Sequence, residues 1–143
     1  MRIFTSDTEI EHIGLGLIHR NLPKPEWTHA AHFAAASWLL SRGEREAFAQ
    51  LPGLIRAYNE ATGVANTDAG GYHETITLAS LRAARAWLAA HRGLALFEAV
   101  NALLAGECGR SEWPLQYWSR ALLFSVGARR AWVPPDLKPL PFA

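Results

Sequence analysis

Apolar residues recur three and four positions apart along most of this chain, the spacing of one face of an α-helix. Ile10, Ile13 and Leu17 form such a stripe behind Ser6 and Asp7, either of which can cap a helix running to about Arg20. Pro23 and Pro25 interrupt the pattern and prepare the next start. A second helix is expected from about Glu26 to Ser41, where Ala30, Ala34 and Ala35 permit close helix contact and Trp38 and Leu39 supply bulk. Gly43 closes it. A third spans about Glu44 to Thr62, with a kink expected at Pro52 and a stop at Gly63. Residues 63–71 read as a long loop with glycines at both ends. A fourth helix follows from about Tyr72 to Ala90, with Ile76, Leu81, Ala84 and Leu88 on its apolar side. A fifth covers about Leu94 to Ala105, and a sixth starts at Pro114 and reaches about Phe124. From Trp132 onward, Pro134, Pro135, Pro139 and Pro141 favour an extended tail, 131–143. No run alternates as a strand would. The pattern predicts one all-α domain over residues 1–143, a bundle of five to six helices.

Two polar patches break into the apolar stretches, Trp27-Thr28-His29-Ala30-Ala31-His32 and Tyr72-His73-Glu74-Thr75. Residues three apart are neighbours on a helix, so His29 and His32 share a face. Short connections favour antiparallel neighbours, which brings the starts of helices two and four to the same end of the bundle. By the same parity His19, Glu112 and Gln116 belong to that end. Neutral imidazoles suit zinc, nickel or iron, and three protein ligands with an open position form the catalytic pattern of a divalent metal. His29, His32 and His73 are therefore the candidate metal ligands, with Glu74 the candidate catalytic acid or base, as ligand or just outside the ion. Adjacent helical residues diverge by about 100°, so His73 and Glu74 are not expected to bind one ion together within a helix. Trp27, Asn66, Asp68 and Tyr72 are the candidate substrate contacts. The loop before His73 is expected to border the site and move, with Asp68 either orienting an imidazole or capping the fourth helix.

Each motif also has a plainer interpretation. HxxH can be a histidine stacked under Trp27 and bonded to backbone, and Tyr72-His73-Glu74 can be a simple helix start with Glu74 favourable to the dipole. Two further functions then stand beside a metal-dependent enzyme acting on a small molecule. One is a metal-free small-molecule-binding module, and the other is a structural, partner-binding helical domain. Arg120, Arg129 and Arg130 can either meet an anionic substrate or, the commoner case, be solvated or carboxylate-paired, and Cys108 is read as a passive thiol.

Composition narrows these choices. Half the 143 residues are hydrophobic and 19% are charged, which is enough apolar material for a core and too little charge for disorder. The formal charge of +1 gives no electrostatic reason to expect nucleic acid. No segment reaches the roughly 20 uncharged apolar residues of a membrane span. A single cysteine fits a reducing compartment, and the acidic start lacks a signal peptide's apolar core. The expectation is a soluble cytoplasmic protein with a small-molecule ligand and a possible homodimer as partners.

The motifs Trp27-Thr-His29-Ala-Ala-His32 and Gly71-Tyr-His-Glu-Thr-Ile-Thr77, with the ending Ala128-Arg-Arg-Ala-Trp-Val-Pro-Pro-Asp-Leu137, resemble those of a family of small bacterial all-helical proteins. That likeness covers most of the chain and implies a single-domain cytoplasmic protein; it implies no activity. In ligand type and bundle form the chain is more remotely similar to DinB-like helical bundles that hold a metal through three histidines. The HxxH at the start of helix two and the count of six helices depart from the simple four-helix DinB pattern.

Overall fold

The computed structural model describes residues 3–142. Among them lie seven α-helices, five of them seven residues or longer, and no strand: the protein is all-α. The helices are α1 (Asp7–Ile18), α2 (His29–Arg42), α3 (Glu44–Ala61), α4 (Glu74–Ala90), α5 (Leu96–Ala105), α6 (Arg120–Leu123) and α7 (Val126–Arg130). Short 3-10 turns occupy Lys24–Glu26, Glu107–Gly109 and Trp113–Gln116. No helix among the described residues is long and apolar enough to cross a membrane.

α2 is the axis of the molecule. It packs against α1, α3, α4 and α5, and Ala31 and every residue from Phe33 to Leu39 are buried. A helix that is apolar on all sides belongs inside a domain, and its alanines let the surrounding backbones come close. Contact with α1 is tightest at Gly14, where an added Cβ would lie 2.1 Å from the Trp38 ring. Only glycine lets that indole seat itself on α1. Around this axis Ile10, Leu17, Tyr58, Leu81, Val100, Trp113, Trp118 and Leu123 are almost wholly buried. Each large side chain so removed from water contributes about 1.5–3 kcal/mol.

Hydroxyl and imidazole caps set the helix starts. Ser6 accepts the Glu9 amide for α1 and Thr28 accepts the Ala31 amide for α2. α2 therefore begins three residues later than expected, because Pro25 and Glu26 are taken into the preceding 3-10 turn. α4 begins at Glu74 with His73 as its cap. α3 runs unbroken through Pro52. The expected sixth helix is split into the 3-10 turn Trp113–Gln116 and the short α6, which Ser119 caps, and beyond its expected end Ser125 caps α7, each hydroxyl accepting the amide three residues on. Each of these serines sits at an extended backbone position that starts a new helix and ends continuity with the previous one.

Beyond α7 the described chain carries no helix and is held by specific contacts. Trp118 Nε1–H donates to the Val133 carbonyl, and Thr75 Oγ1 joins this segment at both the Ala131 carbonyl and the Val133 amide. The Trp118 and Trp132 rings meet edge to face at 5.7 Å. The Arg82 guanidinium lies over the Trp132 ring.

Candidate functional site

The starts of α2 and α4 do lie together. Trp27 and His32 from the first, and Tyr72 and His73 from the second, line one concavity with Ile55, Asn59, Val64, Gly71, Ile76 and Thr77. An adjoining lobe of about 300 Å³ shares His32, Ile55, Ile76 and Thr77 and adds His29, Phe33, Ala36, Leu51, Ser80, Ser111 and Trp113. The two lobes, joined by these shared residues, count as one groove, and among the described residues no Asp, Glu, Lys or Arg lines it.

His29 and His32 are held in defined tautomers. His29 Nε2–H donates to the Cys108 carbonyl at 2.7 Å, and His32 Nδ1–H donates to the Thr28 carbonyl at 2.7 Å. A carbonyl can only accept, so each of those nitrogens carries the proton of the neutral ring. His29 Nδ1 and His32 Nε2 are left as lone-pair acceptors with no hydrogen-bond partner among the described residues. The His32 ring also stacks on Trp27 with centroids 3.8 Å apart, while His29 meets the Phe33 ring edge-on. His32 lines the groove and is itself exposed. The protein around its ring desolvates it and lowers its pKa; the Thr28 carbonyl opposes this and His29 adds to it. The imidazole is therefore neutral at physiological pH.

His73 is arranged differently. Its Nδ1 accepts the Ile76 amide, capping α4, and its Nε2–H donates to the Leu123 carbonyl at 2.7 Å. Both ring nitrogens are engaged, so His73 has no lone pair to give a metal while it caps the helix. Burial lowers its pKa, the Leu123 carbonyl opposes the shift, and Arg129 lowers it further. Among the described residues no group of three or more His, Cys, Asp or Glu side chains is placed to hold a metal ion.

The remaining candidates fall into two sets. Trp27 and Tyr72 are walls of the groove, as a substrate contact should be. Asn66, Asp68 and Glu74 instead serve the scaffold. Asn66 Oδ1 accepts from Asn59 Nδ2 and from the Tyr72 amide, and its Nδ2 donates to the Arg56 carbonyl, which staples the loop to α3. Asp68 neither caps α4 nor meets an imidazole, because Arg130 takes both its oxygens. The capping expected of it falls to His73, while Thr67 Oγ1 accepts the Ala69 and Gly70 amides within the loop. Glu74 accepts the Tyr72 hydroxyl at 2.5 Å and lies outside the groove lining. Burial of the ring, and after it that carboxylate, push the Tyr72 hydroxyl far above the ordinary phenol range, and the Arg56 guanidinium covers its ring.

The loop 63–71 borders the groove through Val64 and Gly71 and is pinned there. Besides Asn66 and Asp68, Arg129 donates to the Gly71 and Tyr72 carbonyls. His19 ends α1 on the surface and lines neither lobe, and His12 pairs with Glu26 in the open. Burial, reinforced by Glu107, pushes the Cys108 thiol up to about 12, so this cysteine acts only through its carbonyl.

Ser80, Ser111 and Trp113 are groove residues that sequence reasoning passed over. Ser80 lies one turn beyond Ile76 on the same helix face and was open to discovery by spacing. Ser111 and Trp113 arrive from a turn nearly eighty residues after HxxH, and no local signal links them to it. Comparison with protein-family models, with curated proteins and with solved structures found no match.

Proposed function

We propose that this protein binds a small molecule in the groove between the starts of α2 and α4, with His29 and His32 as its polar anchors. The observation that carries the reading is the pair of imidazoles lining an apolar concavity, each fixed through one ring nitrogen by a backbone carbonyl and each with its other ring nitrogen unpartnered among the described residues. Binding pockets have this make-up: mostly hydrophobic and aromatic walls with a few placed polar groups, in volumes from about 300 Å³ upward. Thr77 and Ser80 add hydroxyls that can turn to donate or accept, and Ser111, whose hydroxyl donates to Glu112, adds an acceptor. The test is a ligand-observed NMR screen of a fragment library in the presence of a chelator, followed by mapping of hits on labelled protein. Hits that shift His32, Ile76 and Trp113 support the reading; a library that leaves all three unmoved removes it.

A second reading, a divalent-metal site and with it metal-dependent chemistry, is favoured by the same carbonyl anchors. Histidines that bind metals commonly donate their other N–H to a backbone carbonyl. His29 and His32 would be two ligands, and water or substrate would have to supply the rest. Cobalt(II) or zinc added to chelator-treated protein is the test. A ligand-field spectrum together with a raised melting temperature would favour the metal, and neither change would leave the metal-free module.

A further inference from the structure

We infer that the groove at His29 and His32 selects a neutral, largely apolar molecule that presents an N–H or O–H donor, an inference that rests on the binding reading above. Three features of the molecule converge on this class. First, the two imidazoles are acceptors only: their N–H groups already point at the Cys108 and Thr28 carbonyls, so His29 Nδ1 and His32 Nε2 must be met by a donor. Second, neither lobe is lined by a formal charge. Of the charged groups beside the groove, Glu74 is taken by the Tyr72 hydroxyl and Arg56 lies over the Tyr72 ring, while Glu112, which accepts from Ser111, and Arg120 line the neighbouring hollow past Ile76 rather than either lobe. An ionic ligand would lose its hydration without gaining a counter-charge. A carboxylate would in addition bring its own lone pairs against those of the histidines. Third, Phe33, Ile55, Ile76 and Trp113 offer an apolar bed in which an aromatic or aliphatic body is preferred to a polar one.

Four probes of one shape separate these demands: benzyl alcohol, ethylbenzene, benzoate and benzylammonium, titrated at pH 8 into protein labelled with nitrogen-15 in its histidines. The lone-pair nitrogens of His29 and His32 and the methyl groups of Ile55 and Ile76 are the readouts. Benzyl alcohol is expected to bind about three- to tenfold more tightly than ethylbenzene, the worth of one net hydrogen bond. Both ions are expected to bind more weakly than the alcohol. His32→Phe keeps the stack on Trp27 at an exposed position and removes one acceptor, so it should shrink the alcohol's advantage while leaving ethylbenzene bound. His29→Phe should do the same; should that variant fail to fold, His32→Phe alone decides. The inferred class is overturned if ethylbenzene or either ion binds as well as benzyl alcohol, or if the alcohol's advantage is unchanged in the folded variants. A different result, no probe shifting any groove resonance at millimolar concentration, would instead remove the binding reading itself.

Discussion

Arg130 grips Asp68 through two contacts of 2.7 Å, Nε to Oδ1 and Nη2 to Oδ2, across 62 residues of chain. The fork matches the carboxylate, and it ties α7 to the loop that edges the groove. Both side chains are more than half or about half exposed, so water and salt compete for them and global stability gains little. The effect belongs to the loop. Arg130→Gln is expected to leave the melting temperature almost unchanged while hydrogen exchange quickens at the amides of 67–71. Uniform acceleration through α4, or none at all in the loop, would contradict that local role.

His73 is expected to matter for folding before it matters for anything else. His73→Ala removes a helix cap and a buried bond to Leu123, and leaves a void; these together should cost about 2–4 kcal/mol in urea unfolding. A loss below about 1 kcal/mol would deny the cap its weight.

The same residue carries a pH dependence of definite sign. Its folded pKa lies below that of an unfolded histidine, near about 6.5, so the unfolded chain takes up the proton first. The contribution is complete above that value and is lost as pH falls through the folded pKa. Stability measured from pH 8 down to pH 5 should therefore fall less steeply in His73→Asn, which keeps a capping oxygen but cannot titrate. Parallel curves for the two proteins would refute this linkage.

Ser37 lies fully buried in α2, and its hydroxyl has no hydrogen-bond partner among the described residues. A buried hydroxyl without a hydrogen bond has lost its water and gained nothing, and alanine is also the better helix former. Ser37→Ala should stabilise the protein by about 1 kcal/mol, read as a raised urea midpoint at constant slope.

Gly71 has φ of 80°, and a Cβ there would meet the Ala65 carbonyl oxygen at 2.5 Å. The left-handed backbone alone penalises a side chain by about 1–2 kcal/mol, and the clash adds to it. Gly71→Ala should cost more than about 2 kcal/mol and disturb the neighbouring Tyr72 wall. An unchanged melting temperature would mean that the loop can rearrange freely.

Much of this architecture was legible in the chain because apolar spacing is a direct record of which face is buried. Ile10, Ile13 and Leu17 all proved to be core residues, and alternate helix direction alone brought Trp27 and His32 beside Tyr72 and His73. Helix ends were less legible, for identifiable reasons. An imidazole is an uncommon cap, so His73 read as a ligand rather than as the end of a loop. Ser119 and Ser125 carry the usual capping chemistry, yet the apolar run through Leu122 and Leu123 masked them. The groove itself was only half visible: the lone pairs of His29 and His32 are defined by the Cys108 and Thr28 carbonyls, and a carbonyl has no signature in a sequence. Asp68 was similarly ambiguous, since a carboxylate in a loop suits a cap, an imidazole partner or a distant arginine equally well.

Because α2 packs against four helices and is buried from Phe33 to Leu39, the stretch that follows the two imidazoles is expected to open only with the whole molecule. Amides from Phe33 to Leu39 should exchange at the rate of whole-chain unfolding. Any widening needed to admit a guest must then come from the opposite bank, where the pinned loop and the turn bearing Ser111 and Trp113 stand. Natural or engineered changes of selectivity would accumulate on that bank, because a change on the axis reshapes the core before it reshapes the groove.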